Sequence, residues 1–384
     1  MNMYNTSIFD RSESQLNSFL KKKISNYSRY RNFDFGSSDS NYVSKLSPFI
    51  SHRIILEYEL VSKVLENYKY SEVEKFIQEV FWRIYWKGWL EHRPSVWFDY
   101  VKSANRNDNF KDLIKAYNGE TKIECFNEWV RELKTKNYLH NHVRMWFASI
   151  WIFTLNLPWQ MGANFFLKHL FDGDAASNTL SWRWVAGLQT RGKHYLARSM
   201  NIKRYTNNRF ANIELNENAL PKEESTFYSI ENNLLTSNFE PKNENLLVFE
   251  NDLHVTSRKI LFQNYKKIYV LLLSNSNRRI ELSEKVINYK SELLNDFKKE
   301  FKNNIISVNA SNFQELINDI IEIDIIYPFI GENLDFILNF KNEIKQKKFN
   351  FIFRKEDIFC FKFAKKGFFN FKKNIPKIIE EFEL

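Results

Sequence analysis

The spacing of apolar residues divides the chain into two parts. Up to about residue 205, apolar positions recur roughly every three to four residues, which is the period of amphipathic helices. From Leu246 onwards, short apolar runs alternate with helical patterns, and this alternation favours a parallel, doubly wound sheet. The predicted strands are Leu246–Phe249, Ile268–Leu273, Ile305–Val308, Ile323–Tyr327 and Phe349–Phe353, and the helices between them are Arg258–Tyr265, Ile280–Phe301, Phe313–Ile320 and Asn333–Ile344.

These patterns predict an all-helical domain over residues 1–206, a linker over 207–245 and a smaller α/β domain over 246–384. The linker is rich in Asn, Glu, Lys and Ser and contains Pro221 and Pro241. After position 245 the only glycines are Gly331 and Gly367, so the α/β part has neither a GxGxxG motif nor a Walker loop. We therefore expect a Rossmann-like or flavodoxin-like sheet without a nucleotide-binding signature.

The composition points to a packed, basic protein. The 384 residues carry a formal charge of +10, and 17% of them are aromatic. A positive charge favours an anionic partner such as nucleic acid, although it fits a merely basic soluble protein equally well. Cys125 and Cys360 are far apart and have no partners at metal-ligand spacing, so no metal site or disulfide framework is expected. The sequence shows no signal peptide and no apolar run of membrane-spanning length. We therefore expect a bacterial-type chain in the cytoplasm, which is a reducing compartment.

The stretch from His140 to Trp184 combines polar groups with five tryptophans. Asn141, Arg144 and Met145 recur at helical spacing, so an amide, a cation and a thioether share one helix face. A turn at 172–174 follows, and Asp174 is a suitable N-cap for the next helix. Because charges among apolar groups need partners, we expect Arg144 to pair with Asp172 or Asp174.

The same stretch resembles the flavin-binding region of the DNA photolyase/cryptochrome family. That family's pattern reads HN, two residues, RM, and later W, DGD, N and W-x-W. In this sequence the matching residues are His140, Asn141, Arg144, Met145, Trp159, Asp172, Gly173, Asp174, Asn178, Trp182 and Trp184.

Three further motifs match more weakly. Glu79, Trp82 and Arg83 correspond to the family's E-x-x-W-R helix, although a Glu and an Arg on a helix usually form a solvated pair. The loop 43–48 resembles the family's phosphate-binding loop, with Val43 in place of a threonine and Lys45 in place of an arginine. An ordinary helix start would explain that loop equally well. Near the N-terminus, Tyr27 matches a family tyrosine, and Arg31 and Asn32 match the pair after it.

The resemblance implies bound FAD and assigns roles to these residues. The expected cofactor contacts are Tyr27, Ser44, Lys45, Leu46, Ser47, Arg83, Asn141, Arg144, Asp172, Asp174 and Asn178. The expected catalytic residues, which face the lesion, are Glu79, Trp82, Asn141, Met145 and Trp184. Trp182 and Trp159 are the expected inner and middle electron carriers, while the family's outer tryptophan has no match.

The function implied is that of a deoxyribodipyrimidine photolyase, a carbon–carbon lyase that uses light to split cyclobutane pyrimidine dimers in UV-damaged DNA. Relatives that act on (6-4) photoproducts have histidines at the positions of Asn141 and Met145. The alternative is a cryptochrome-like blue-light receptor that keeps FAD but signals through a partner. A flavin-free nucleic-acid-binding protein is a third hypothesis.

The resemblance leaves two features of the molecule open. It does not predict whether an antenna chromophore binds. The strand at Leu246 faintly resembles the opening strand of the family's small α/β domain, which ordinarily precedes the flavin domain. The C-terminal domain is therefore either a permuted antenna-type domain or an unrelated flavodoxin-like appendage. A monomer without membrane contact is expected.

Overall fold

The computed structural model describes residues 6–36, 41–104, 111–231, 238–301, 305–320, 322–343 and 348–384. Its first part is helical, as the apolar spacing predicts. The helices are α1 (Ile8–Lys22), α2 (Ile24–Tyr30), α3 (Ser47–Ser51), α4 (Glu57–Leu65), α5 (Tyr70–Glu91), α6 (Ser95–Ala104), α7 (Lys111–Asn118), α8 (Glu124–Lys136), α9 (Asn141–Ser149), α10 (Trp159–His169), α11 (Ala175–Ala186) and α12 (Ser199–Tyr205). Within the described ranges, no helix is both long and apolar enough to cross a membrane.

Helix α5 lies at the centre of the helical region and packs against α2, α4 and α11. At its start, the Glu72 side chain accepts a hydrogen bond of 3.0 Å from the Lys69 backbone N–H, which satisfies a donor that the helix leaves free. Ile77, Phe81 and Ile84 are fully buried and attach the helix to the core. The half-buried Trp82 lies on a different face of the helix.

The five strands form one parallel sheet. They are β1 (Asn245–Phe249), β2 (Lys267–Leu271), β3 (Ile305–Val308), β4 (Glu322–Ile326) and β5 (Lys348–Ile352), in the order β3-β2-β1-β4-β5. This order is that of a Rossmann-type sheet and differs from the flavodoxin order 2-1-3-4-5. The predicted fold class, a helical domain followed by a smaller doubly wound parallel sheet, is confirmed.

Both faces of the sheet are covered, as a parallel sheet requires. Leu246 and Val248 of β1 pack with residues of α14 (Glu284–Lys299), and this face also contacts Ile8 of α1. Leu247 of β1 points the other way, towards α15 (Ala310–Asp319) and α16 (Glu332–Glu343). The remaining helix of this part is α13 (Lys259–Gln263). The alternation along β1 thus connects one face of the sheet to the helical region.

Two segments outside the predicted helical domain also pack against it. In the predicted linker, Phe210 is buried, and the Lys222 backbone N–H donates to the Ala186 carbonyl at 2.9 Å. After the last strand follow α17 (Lys355–Phe361), α18 (Phe368–Lys372) and α19 (Ile375–Glu381). Their buried residues belong to the helical core because α17 and α18 lie against α5. The helical region therefore extends beyond residue 206 and takes in the C-terminus.

A cluster of buried charges joins the helical region to the sheet. We call Arg53, Glu57, Asp252, Arg354 and Asp357 the interface cluster. The Arg53 guanidinium donates to Asp357 through two hydrogen bonds of 2.7 Å and to Glu57 through one of 3.1 Å. Arg354 donates to Asp252 at 2.7 and 3.0 Å. Because these residues come from both parts of the chain, their pairing fixes the helices against the sheet.

Candidate functional site

A cavity of about 470 Å³ lies between α5, α9 and α11. This volume is in the range of small-molecule sites, which is roughly 300–1,000 Å³. Its lining includes most of the residues that the sequence singled out. These are Glu79, Trp82, Arg83, Asn141, Arg144, Met145, Asp172, Asp174, Asn178, Trp182 and Trp184. Residues that are far apart in sequence thus meet at one site.

Two arginines and two aspartates form the charged wall of the cavity. Arg144 donates to Asp172 at 2.9 Å, which confirms the predicted pairing, and Arg83 donates to Asp174 at 2.6 Å. Burial alone would raise the pKa of the Asp172 carboxyl, but Arg144 and Arg83 outweigh it and hold this pKa below its usual range. Asp172 is therefore a carboxylate at neutral pH, and both arginines stay oriented along the wall.

The first turn of α11 faces the same cavity. Asp174 is the N-cap, as predicted, and accepts a hydrogen bond of 2.8 Å from the Ser177 backbone N–H. The amide nitrogen of Asn178 donates to the Ala163 carbonyl at 2.9 Å, which fixes the orientation of the amide. The buried Ser177 hydroxyl has no hydrogen-bond partner among the described residues. The turn therefore offers polar groups that the fold itself does not use.

Further residues of α5, α9 and α11 also line the cavity. Asn141 and Met145 lie one turn apart on α9 and both line the cavity. Glu79 of α5 forms an ion pair with Arg31, the residue that follows α2. Trp184 is half-buried and stacks on Tyr195 with ring centroids 5.8 Å apart. These residues therefore present an amide, a thioether, a paired carboxylate and aromatic faces to the cavity.

Two neighbouring histidines are uncharged at neutral pH. The ring of His142 is buried, lines the cavity and is hydrogen-bonded to the Asn32 carbonyl at 2.9 Å. The Trp146 ring lies 4.1 Å away and helps to enclose it. Burial lowers the pKa of His142 and lowers that of His140 to about 4. Neither imidazole therefore carries a positive charge at neutral pH.

The tryptophans behind the cavity form ring contacts with specific neighbours. Trp182 lies edge-on to Trp151, with ring centroids 6.2 Å apart, and Trp151 lies 5.5 Å from the half-buried Tyr117. A side chain at Gly162 would overlap the Trp182 ring, so glycine is required where α10 and α11 approach. Trp159 instead stacks on Tyr100 at 5.3 Å. The electron-transfer roles of Trp182 and Trp159 stay predictions.

Several predicted cofactor contacts lie outside this cavity, namely Tyr27, Ser44, Lys45, Leu46 and Ser47. Tyr27 is buried behind the wall, where Arg31 contacts it. The Ser44 hydroxyl accepts from the Leu46 backbone N–H at 3.3 Å, and Leu46 is buried. The Ser47 hydroxyl contacts Asp172 and helps to lower the pKa of its carboxyl. A cofactor role for this loop stays a prediction.

The site also contains residues that the predicted set of site residues did not include. Ser177 and Ser181 line the cavity one turn apart on α11, and Trp86 follows Trp82 by one turn on α5. Helical spacing from Asp174 and from Trp82 could have identified these three. Phe368, which stacks on Trp82, could not have been identified, because it comes from the far end of the chain.

Comparisons with known proteins agree with the geometry of the cavity. A model of the FAD-binding domain of DNA photolyase matches residues 76–212, a range that includes the eleven residues named above as lining the cavity. The deoxyribodipyrimidine photo-lyase of Streptomyces griseus is 34% identical over 149 residues, which are 38% of this chain and 32% of that protein. That of Buchnera aphidicola is 29% identical over 194 residues, which are 47% of this chain and 39% of that protein.

Among solved structures, a class III photolyase from Agrobacterium tumefaciens aligns with a TM-score of 0.46 and 22% identity, over 53% of this chain and 44% of that one. In each of these alignments, less than half of the relative's own length is covered. The similarity is therefore one of a domain and does not extend to a whole relative.

Proposed function

We propose that this chain, in which residues 76–212 match the FAD-binding domain of DNA photolyase, is a photolyase that splits cyclobutane pyrimidine dimers in UV-damaged DNA. The observation that carries this proposal is the lining of the cavity. The five residues expected to face the lesion and six of those expected to hold FAD surround one space, with Asn141 in both sets. A cofactor and a DNA base can meet there.

The chemistry of the cavity fits FAD. The cofactor has a flat aromatic ring and an anionic diphosphate, and the cavity offers aromatic walls, the cations Arg83 and Arg144, and the N-terminal turn of α11. Asn178 keeps its amide nitrogen on Ala163, so its amide oxygen remains as an acceptor for a ring N–H. The unpartnered Ser177 hydroxyl is a further group that a bound cofactor would satisfy.

In this proposal the protein positions two reactants and keeps water away. The residues around Arg83, Arg144 and Asn178 would hold FAD, and the reduced cofactor would supply light-driven one-electron chemistry to the dimer. Trp82 and Trp184 would stack against a pyrimidine dimer that has flipped out of the DNA duplex. Asn141 and Glu79 would form hydrogen bonds with the edges of its bases. A charged acid is not needed for this reaction, which fits the neutral state of His140 and His142.

Variants of Glu79 and Asn141, two residues expected to face the lesion, test which substrate the protein repairs. Glu79→Ala and Asn141→Ala are expected to retain FAD and to repair dimer-containing oligothymidine about tenfold more slowly, because each removes a hydrogen-bonding group. Repair is followed as the light-dependent recovery of thymine absorbance, with Glu120→Ala as a control on an exposed glutamate. Wild-type rates in both variants would contradict the substrate assignment. A wild-type protein that binds and reduces FAD but repairs nothing would instead favour the light receptor.

We propose that electrons reach the bound flavin through Trp182, Trp151 and Tyr117. Trp182 would donate one electron to the flavin and would then be reduced by Trp151. Tyr117 would in turn reduce the oxidised Trp151. The Tyr117 phenol would lose its proton to solvent and be restored by a thiol. The ring contacts support this order, since Trp182 contacts Trp151 and Trp151 contacts Tyr117.

Photoreduction separates this route from the one through Trp159. With dithiothreitol as the thiol, Trp151→Phe should slow photoreduction of bound FAD about tenfold, a barrier change of about 1.4 kcal/mol. Trp159→Phe serves as the comparison, and chemically reduced Trp151→Phe protein should still repair. Slow photoreduction in Trp159→Phe together with a normal rate in Trp151→Phe would favour the route predicted from the sequence.

A further inference from the structure

A segment near the C-terminus contacts the cavity wall. Phe368 of α18 stacks on Trp82, with ring centroids 3.6 Å apart and planes at 12°. Trp82 lines the cavity, so the segment around Phe368 contacts a side chain of the cavity lining. We call residues 362–373 the C-terminal basic segment. It lies outside residues 76–212, the range that matches the FAD-binding domain of DNA photolyase.

Contacts with α5 and the residues just after it hold the backbone around this segment. The Tyr85 hydroxyl donates to the Lys366 carbonyl at 2.9 Å, and Arg93 donates to the Lys365 carbonyl at 2.8 Å. Gly88 lets α17 approach, because a side chain there would lie 2.5 Å from the Phe361 ring. The segment therefore has a defined position through its backbone, and these contacts do not involve the lysine ammonium groups.

The outward side chains of the segment combine positive charge with one aromatic ring. Residues 362–373 contain five lysines and no acidic residue. Lys365, Lys366 and Lys373 are exposed, while Lys372 pairs with Glu74 of α5 at 3.3 Å. Phe369 is 81% exposed, whereas the neighbouring Phe368 is 6% exposed. Single exposed apolar residues are common, but this one stands among lysines and next to a residue that contacts the cavity wall.

We propose that the C-terminal basic segment is part of the DNA-binding face. Lys365, Lys366 and Lys373 contact backbone phosphates, and Phe369 stacks on a base next to the lesion. A dimer that leaves the duplex opens a gap, and aromatic or apolar side chains can stack on bases that have lost their neighbours. The inference rests on the proposed function, because it presupposes a DNA lesion at the cavity.

Charge favours DNA over an apolar protein partner for this surface. A protein partner that covered Phe369 would have to bring the neighbouring lysines next to its own surface, which disfavours any partner without a matching acidic patch. A phosphate backbone supplies negative charge along the whole segment, and its bases supply flat apolar faces.

Dark binding of the FAD-loaded full chain to duplexes with and without one dimer tests the lysines. The double variant Lys365→Gln/Lys366→Gln should weaken binding to both duplexes and reduce the slope of log affinity against log salt by about 0.9 for each phosphate that is no longer neutralised. Lys259→Gln/Lys267→Gln is the matched control, because it removes the same charge from exposed positions of the α/β part. The control should keep the wild-type slope.

The aromatic ring is tested by Phe369→Ala, which should lower affinity for the dimer-containing duplex about fivefold or more, as the loss of one stacked base predicts. Phe369→Trp should restore binding, since it keeps an aromatic face. Ile260→Ala, at a residue 77% exposed in the α/β part, should bind as wild type does.

Unchanged affinity and salt slope in the lysine and Phe369 variants would overturn the inference and leave the surface to a protein partner. Light-dependent repair by the same variants would then show that the proposed function stands without it. If wild-type protein neither binds nor repairs dimers, both proposals fail. FAD absorbance of each variant reports that the cavity is folded.

Discussion

The interface cluster and the charged wall of the cavity are built from the same residue types but differ in what surrounds them. In the interface cluster, the Arg53 side chain is fully buried and all its nitrogens donate to carboxylates. In the cavity, Arg144 also donates to an aspartate, yet 21% of its side chain is exposed, and the neighbouring Ser177 hydroxyl has no partner in the described part of the chain. In this comparison the structural joint is completely paired, whereas the candidate ligand site is not.

The difference has a physical basis in desolvation. A buried charge is tolerated only when its partners replace the lost water, so the interface cluster has to be satisfied by the fold alone. A binding site can leave polar groups unsatisfied because a ligand or water completes them. This separates two groups of arginines that sequence composition cannot tell apart.

The largest effect is expected from breaking the interface cluster. Arg53→Met should lower the free energy of unfolding by about 3–5 kcal/mol, because it leaves Glu57 and Asp357 without their main cation. Chemical denaturation measures the change. The control is Arg11→Met, which removes an arginine from a pair with Glu292 that is 35% and 47% exposed and should cost less than about 1 kcal/mol.

Equal losses of stability in Arg53→Met and Arg11→Met would contradict the comparison. That result would mean that the buried pairing contributes no more than a solvated one. The FAD content of the refolded Arg53→Met variant should match that of the wild type, since Arg53 does not line the cavity.

Residues of one helix could be predicted from the sequence because their spacing is local. Glu79, Trp82 and Arg83 share one helix face at positions i, i+3 and i+4, and the family resemblance assigns that face to the site. The structure brings all three to one cavity. The partners of Arg53 could not be predicted, because Asp252 and Asp357 lie 199 and 304 positions away and leave no periodic signal.

Domain boundaries were harder to predict than elements for the same reason. The segment 207–231 has the composition of a linker, but a single buried residue such as Phe210 is enough to attach it to the helices. The C-terminal helices follow a strand in sequence, yet their apolar side chains complete the helical core. Composition describes a segment's average, whereas packing depends on the few side chains that find a partner.

The smallest effect is expected from two serine variants, one at a hydroxyl without a hydrogen-bond partner and one at a hydroxyl with a partner. Ser177→Ala should leave the stability of the FAD-free protein within about 0.5 kcal/mol of wild type, because its hydroxyl has no partner within the described ranges. It should weaken FAD binding by up to about tenfold, the value of one hydrogen bond. Titration of the FAD-free protein with FAD measures the affinity.

Ser149→Ala should lower the stability of the protein and leave its affinity for FAD unchanged. The Ser149 hydroxyl accepts from the Ala197 backbone N–H at 2.8 Å, so its removal leaves a buried donor unpaired and should cost about 1–3 kcal/mol of stability. Its affinity for FAD should stay at the wild-type value, since Ser149 does not line the cavity. If Ser177→Ala instead destabilised the FAD-free protein while binding FAD normally, the unpartnered hydroxyl would belong to the fold, and incomplete pairing would no longer distinguish a ligand site from a structural joint.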